Sequence, residues 1–333
     1  MKLSDLLFDG NAAQQKKKAI AVYAVLVTLI LLVALVITLC VTSAVLSKKN
    51  EMPEDTDAEI SDDEGSGNAI PSGYVEKTFD ASQLYSGSLI LVNESNPVNA
   101  ASSNTYVSLQ SYPDRPKTPQ GTNTYTVDKK ESKATTETAA ALNKMLGDYY
   151  KQNADDNLII FNAYNSGAAL SSVYESGMVV EFKYFVNYTA DNNDLTKAGI
   201  YGVAKYNWIY ENAYKYGFIC LAEAKAEGGE PTNANLFRYV GVAHATAMKQ
   251  KNLATLESYL AYLKTATSVS KALTVNTSEG KMRIYYCAAD ATAYVSEKNA
   301  WQVSGNNIDG YVITVNTSVK AEVQTTADTT QAQ

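Results

Sequence analysis

One feature restricts this chain before any other. Within KKKAIAVYAVLVTLILLVALVITLCVTSAVLSKK, the run from Ala19 to Leu46 carries no charge. About twenty apolar residues span a bilayer core of about 30 Å, so this run is long enough to cross with tilt to spare. It exceeds the core of a signal peptide, and no small-x-small cleavage site follows it. Leu39 stands before Cys40, where a lipoprotein signal has a small residue, which argues against lipidation. Lys16, Lys17 and Lys18 precede the run and Lys48 and Lys49 follow it. The short basic N-terminus favours N-in, C-out. The expected order is therefore a cytoplasmic N-terminus (1–18), a single-pass transmembrane signal anchor (19–46) and an extracellular body at the cell membrane.

The next stretch, NEMPEDTDAEISDDEGSGNAIPSG, is dense in Asp and Glu and nearly free of large apolar residues. It cannot bury enough surface to fold, and residues 47–73 read as an acidic disordered linker that repels itself into an extended spacer. The regular alternation of an EF-hand loop is missing. Over all 333 residues the formal net charge is -7 with 19% charged residues, so a nucleic-acid partner has no electrostatic basis.

Histidine content excludes whole classes of chemistry. His244 is the single histidine of the chain, which removes multi-histidine zinc sites and most Ser-His hydrolases unless a second chain contributes. The three cysteines, Cys40, Cys220 and Cys287, form no CxxC pair. Cys220 and Cys287 are left open between a disulfide and free thiols. Tyrosine is abundant, 24 against 7 Phe, and a phenol suits half-buried positions with a polar tip.

From about Gly73 the texture becomes that of a folded body. GSLILVNESNPV predicts a short buried strand ending in a turn at Asn96-Pro97. SKATTETAAALNKMLGDYYKQN predicts a helix with Ala141, Leu142, Met145 and Leu146 on one side. NLIIFNAYNSG and GMVVEFKYFV predict strands. AGIYGVAKYNWIYENAYKYGFICL predicts a helix through Trp208, Ile209 and Ala213 that exits at Gly217 into a strand. LFRYVGVAHATAMKQKNLATLESYLAYLKTA predicts a strand, a turn and helical segments. Beyond Ser268, short strands alternate with Asn, Gly and Asp turns. Without a strict βαβ rhythm the fold class is α+β, a mixed or antiparallel sheet with flanking helices. The expected divisions are a body at 74–267, a small β-rich C-terminal subdomain at 268–323 and a disordered tail at 324–333.

The order of these segments resembles the VanY-type D-alanyl-D-alanine carboxypeptidase core family (peptidase M15 type). YNWIYENAYKYGFI, EPTNANLFRYVGVAHATAM and LESYL follow that family's W-L-x-x-N-A-x-x-Y-G-F-I unit, its E-P-W-H-F-R-Y-V-G strand and its H-A helix start. LILVNESNP and IIFNAYNSG resemble its opening strand and its S-G-Y-R-S turn. The resemblance covers about residues 84 to 263, and it is specific because five segments recur in order.

The family's metal motif, H-x-x-G-x-A-x-D, aligns with YESGMVVE through Gly177. The resemblance implies that its first zinc histidine falls on Tyr174, its zinc aspartate on Glu181 and its third ligand on Leu236. The catalytic glutamate corresponds to Glu230, displaced by the longer TNAN segment that carries Asn233. The substrate-binding arginine falls on Asn165, and His244 falls on the H-A position, where capping or packing is expected. Leu236 cannot ligate, and Tyr174 ligates only as a phenolate, whose ordinary pKa is about 10. Zinc, the cofactor of active relatives, is therefore not expected, and no residue is assigned as catalytic or metal-binding. Asn165, Tyr164 and Trp208 are the candidate substrate-binding positions.

The leading expectation is a pseudoenzyme at a bacterial surface that binds peptidoglycan stem peptides or a cell-envelope protein. An active D-Ala-D-Ala carboxypeptidase trimming cell-wall peptides and a structural or assembly module remain the alternatives.

Overall fold

A computed structural model describes residues 69–164, 169, 172–186, 196–224 and 231–321. All lie in the second of two compact units, Glu59–Gln333. The expected anchor at 19–46, most of the acidic linker, Asn165, Glu230 and the tail at 324–333 fall outside the described residues. Among the described residues no helix is long and apolar enough to cross a membrane.

The chain opens with β1 (Tyr74–Lys77), a 3-10 turn (Ala81–Tyr85), β2 (Tyr106–Ser108), β3 (Thr126–Val127) and β4 (Lys133–Thr135). Helix α1 (Thr136–Asn153) leads into β5 (Leu158–Asn162), and a 3-10 turn (Val173–Ser176) leads into β6 (Val179–Phe185) and β7 (Lys197–Gly199). Then come α2 (Asn207–Asn212), β8 (Phe218–Cys220), β9 (Leu236–Tyr239), α3 (Val242–Gln250) and α4 (Leu256–Ala266). The last five strands are β10 (Leu273–Thr277), β11 (Gly280–Ala288), β12 (Ala293–Ser296), β13 (Asn299–Gly305) and β14 (Gly310–Lys320).

The architecture is mixed α+β. The central sheet runs β3-β5-β6-β9-β8 with β7 also paired to β6, and of these pairs β3–β5 alone is parallel. Helix α1 covers one face of it. Thr135 caps the helix through Oγ1, Glu137 and Lys151 complement its two ends, and Leu142, Met145, Leu146 and Tyr149 turn inward. They meet Leu158 and Ile160 of β5, Val180 and Phe182 of β6, and Phe237 of β9. Strand alternation therefore points Glu181, Lys183 and Leu236 to the other face.

A second core lies where α3 and α4 pack on the antiparallel sheet β10-β11-β14-β13. Leu260 and Leu263 meet Leu273, Ile284 and Val312 there. Leu89 and Leu91 join this core from the chain's early part. Cys220 and Cys287 are both free thiols.

The strand predicted in GSLILVN is not one. Leu89 to Val92 are buried, yet they pair with no strand. Their backbone groups are met from elsewhere. The Leu89 amide donates to Ser304 Oγ, the Leu91 amide to the Asn306 carbonyl, and Arg238 Nη2 donates to the Ile90 carbonyl. An apolar run needs burial and hydrogen-bond partners, and here two side chains and one loop carbonyl supply what a ladder usually does.

Gly177 ends the 3-10 turn at φ 71, in the left-handed region, and a Cβ there would overlap the ring of Tyr106. Gly177→Ala is expected to lower stability by about 2 kcal/mol, combining backbone strain with the clash. Urea unfolding checks this; an unchanged midpoint would show that Tyr106 moves aside freely.

Candidate functional site

The candidate site is assembled by β5, β6, β9 and the turn before β6. Because Gly177 reverses the chain, the 3-10 turn folds back and the Tyr174 hydroxyl donates to Glu181 Oε2 at 3.2 Å. On one flank the β5–β6 register shifts between Ile160 and Asn162, a bulge at Phe161 that brings Asn162 opposite Glu181. Asn162 Nδ2 donates to the same Oε2 at 2.6 Å. On the other flank β9 places Leu236 directly across from Glu181. Lys183, two residues along the same face, holds its ammonium 4.0 Å from Glu181 Oε1.

The electrostatics follow from this packing. Burial, and next the Glu181 charge, push the Tyr174 phenol above its ordinary pKa, so it remains a protonated donor. Glu175, next to it, is 6% exposed with no hydrogen-bond partner at Oε1, and burial raises its pKa.

Three of the expected positions, Tyr174, Glu181 and Leu236, are thus brought together. Tyr164 is close to the same turn: it stacks on Tyr106 at 4.2 Å between ring centroids, and the Tyr106 hydroxyl donates to the Glu175 carbonyl. Asn233 adopts φ 55 in the turn before β9, and its carbonyl accepts from the Leu236 amide. Trp208 is placed elsewhere. Its ring lies 5.8 Å from Tyr149 of α1 and 6.1 Å from Tyr216, so it packs with the core beneath the sheet's helix-covered face. Asn162 and Lys183 carry the site's polar contacts to Glu181, Phe161 lies beneath the Lys183 ammonium, and none of the three was singled out from the sequence. Lys183 was legible two residues beyond Glu181, whereas the bulge that aligns Asn162 left no local signal.

His244 lies outside this group, 2% exposed. Its Nδ1 shares a hydrogen bond with the Tyr259 hydroxyl at 2.9 Å and its Nε2 one with Thr314 Oγ1 at 3.1 Å, tying α3 to α4 and β14. Burial pushes its pKa down to about 3. The folded chain keeps it neutral, while an unfolded chain protonates it near pH 6.5. Between about pH 6.5 and about pH 3 the unfolded state binds the extra proton. Stability from this residue is therefore full above the window and falls by about 1.4 kcal/mol per pH unit as pH drops through it. Urea unfolding at pH 7 and pH 5 is expected to show a steeper loss for wild type than for His244→Gln; equal losses would contradict it.

No family model matches the sequence. A D-alanyl-D-alanine carboxypeptidase of Enterococcus faecium is 30% identical over 249 residues, covering 72% of this chain and 78% of that protein. Among solved structures, the vancomycin-resistance D,D-dipeptidase VanXYg, in complex with a D-Ala-D-Ala phosphinate analogue, aligns with a TM-score of 0.53. It is 18% identical over 73% of this chain and 97% of its own. A mutant of the D,D-pentapeptidase VanY from a VanB-type cassette, in complex with zinc, aligns at 20% identity over 52% of this chain and 98% of its own, with a TM-score of 0.35. The VanXYg likeness carries the fold, and the sequence relation extends over more than two thirds of both chains. The chain belongs to the D-alanyl-D-alanine carboxypeptidase family.

Proposed function

We propose that this chain is a non-catalytic, membrane-anchored family member that holds peptidoglycan stem peptides outside the cell. The observation that carries the reading is the environment of Glu181. Catalytic zinc of this type takes three lone-pair donors and leaves a fourth position for water. Here Glu181 Oε2 already accepts from Asn162 and Tyr174, and an ammonium stands near its other oxygen. Tyr174 is kept as a phenol and Leu236 offers no lone pair. Among the described residues no three of His, Cys, Asp and Glu gather as a metal group. The donor set does not fit zinc, and no chemical step is assigned to one.

What these side chains can do is bind. What stays open after these bonds, the second N–H of the Asn162 amide, the Tyr174 hydroxyl oxygen as acceptor, Glu181 Oε1 and the tyrosine rings, suits a peptide, which offers one N–H and one C=O per residue. Kinship with a D-alanyl-D-alanine carboxypeptidase supports stem peptides as the ligand class. The uncharged run at 19–46 supports the anchor, and the acidic stretch at 47–73 a spacer that carries the body, 74–267 with its β-rich continuation at 268–323, toward the wall.

The test is sedimentation of the full-length chain with purified sacculi, beside an assay of D-alanine released from a D-Ala-D-Ala stem peptide with zinc added. Retention without release is expected. Zinc-dependent release would establish an active carboxypeptidase, and neither retention nor release would favour a structural or assembly module.

A further inference from the structure

An amine, an amide and a carboxylate stand in line beside Phe161. Lys129 Nζ donates to Asn162 Oδ1 at 2.6 Å, and Asn162 Nδ2 donates to Glu181 Oε2 at 2.6 Å. The amine thus touches one polar atom of the amide and the carboxylate touches the other. All three side chains are half-buried, which strengthens such contacts over those in open water. The two nearby lysines are engaged differently: Lys197 pairs with Asp128, and Lys183 stands 4.0 Å from Glu181 Oε1.

The fold fixes each member of the line. Parallel pairing of β3 with β5 sets Val127 beside Ile160 and delivers Lys129 from the loop that follows. The bulge at Phe161 brings Asn162 opposite Glu181, and the Tyr174 hydroxyl steadies Glu181 Oε2 at 3.2 Å. Because a carbonyl bond is about 1.2 Å long, Lys129 Nζ lies at most about 3.8 Å from Asn162 Cγ. A near-attack pair stands about 3–3.5 Å apart, so a small swing of the lysine completes the approach.

We propose that Lys129 and Asn162 join in an intramolecular isopeptide bond, with Glu181 carrying the protons. An ammonium has no lone pair, so Lys129 attacks only after giving one proton to Glu181. The Nζ lone pair then forms a bond to Asn162 Cγ. Glu181 returns that proton to Nδ2, which it already contacts, and the Cγ–Nδ2 bond breaks with its electron pair leaving as ammonia. The second Nζ proton passes through the same carboxylate to the ammonia, which departs as ammonium. One amide replaces another, no oxidant or reductant is consumed, and Glu181 ends as it began.

The bond joins residues 33 apart in sequence and ties the end of β3 to β5 around α1. Cys220 and Cys287 are free thiols, so this link would give the body the constraint that a disulfide gives elsewhere. It stands apart from the peptide reading. It takes up the second N–H of the Asn162 amide and leaves the Tyr174 hydroxyl oxygen, Glu181 Oε1 and the tyrosine rings to a ligand.

The test is the intact mass of the folded full-length chain, followed by tryptic mapping. Wild type is expected to be one ammonia lighter than its sequence requires, with a branched peptide joining Lys129 to Asn162 and no cleavage after Lys129. Lys129→Arg keeps a donor for Asn162 but cannot close the bond, and Glu181→Gln keeps both partners without the proton carrier. Both are expected at full mass. A melting transition shows that Lys129→Arg is folded, and it is expected about 5–10 °C below that of wild type. Wild type at full mass after prolonged incubation at neutral pH overturns the proposal without recourse to any variant. So does an ammonia loss that survives in Lys129→Arg, which would mark a succinimide at an asparagine instead. Linkage undiminished in Glu181→Gln overturns the role given to Glu181.

Discussion

Substituting Tyr174→His, Glu181→Asp and Leu236→His together is expected to raise zinc affinity by about a thousandfold or more over wild type. The estimate is conservative, because losing even groups that only orient metal ligands costs about 10–100-fold. The frame favours the graft. Glu181 and Leu236 face each other across β6 and β9, and Tyr174 is held over Glu181 by the Gly177 turn. Shortening Glu181 by one methylene also draws the carboxylate back from the Asn162 amide that now occupies it. Each single substitution is expected to do little, since one or two donors do not complete a tetrahedral set. Competition with a chromophoric chelator measures the affinity, which should weaken below about pH 6.5 as the new imidazoles protonate. A folded triple variant with no gain in zinc binding would show that these positions do not converge as a ligand set.

Phe182→Ala is expected to destabilise the body by about 3–5 kcal/mol. Phe182 is fully buried on β6, on the face opposite its neighbours Glu181 and Lys183, and its ring meets Phe237 of β9 edge-on at 5.3 Å. Truncation opens a cavity between α1 and the sheet and removes that contact from the two strands that carry the site. A domain is stable by only about 5–15 kcal/mol in total, so this one side chain holds a large share of it. Urea unfolding measures the loss. A change under about 1 kcal/mol would mean that α1 collapses onto the sheet and refills the space.

Much of this was legible in the chain. Helix α1 was readable from its apolar spacing, and the Thr135 cap and charged ends seen in the structure agree with it. The meeting of Tyr174 and Glu181 was readable from the resemblance through Gly177, and the short strands beyond Ser268 from their Asn, Gly and Asp turns. The segment Leu89 to Val92 misled because an apolar run reports burial and not its partner, and its partners come from Ser304 and Asn306. Trp208 misled for a related reason: an aromatic residue on a short helix does not announce which face it turns inward. That Lys129, Lys183 and Lys197 gather around the Phe161 ring was hidden because they come from the loop after β3, from β6 and from β7, which only the folded sheet brings together.

The pairing of β1 with β12, Tyr74 against Ser296 through Lys77 against Ala293, sets a timetable. A chain made from its N-terminus exposes its first strand long before the partner exists. Leu89 and Leu91 wait likewise for Val312 of β14. Contacts this distant in sequence slow folding and prolong exposure of apolar surface. The residues of the candidate site are all synthesised before the strands that close the body around them. The C-terminal strands therefore act as a clasp, and a chain cut short before β12 would carry every site residue yet present itself to proteases as unfinished.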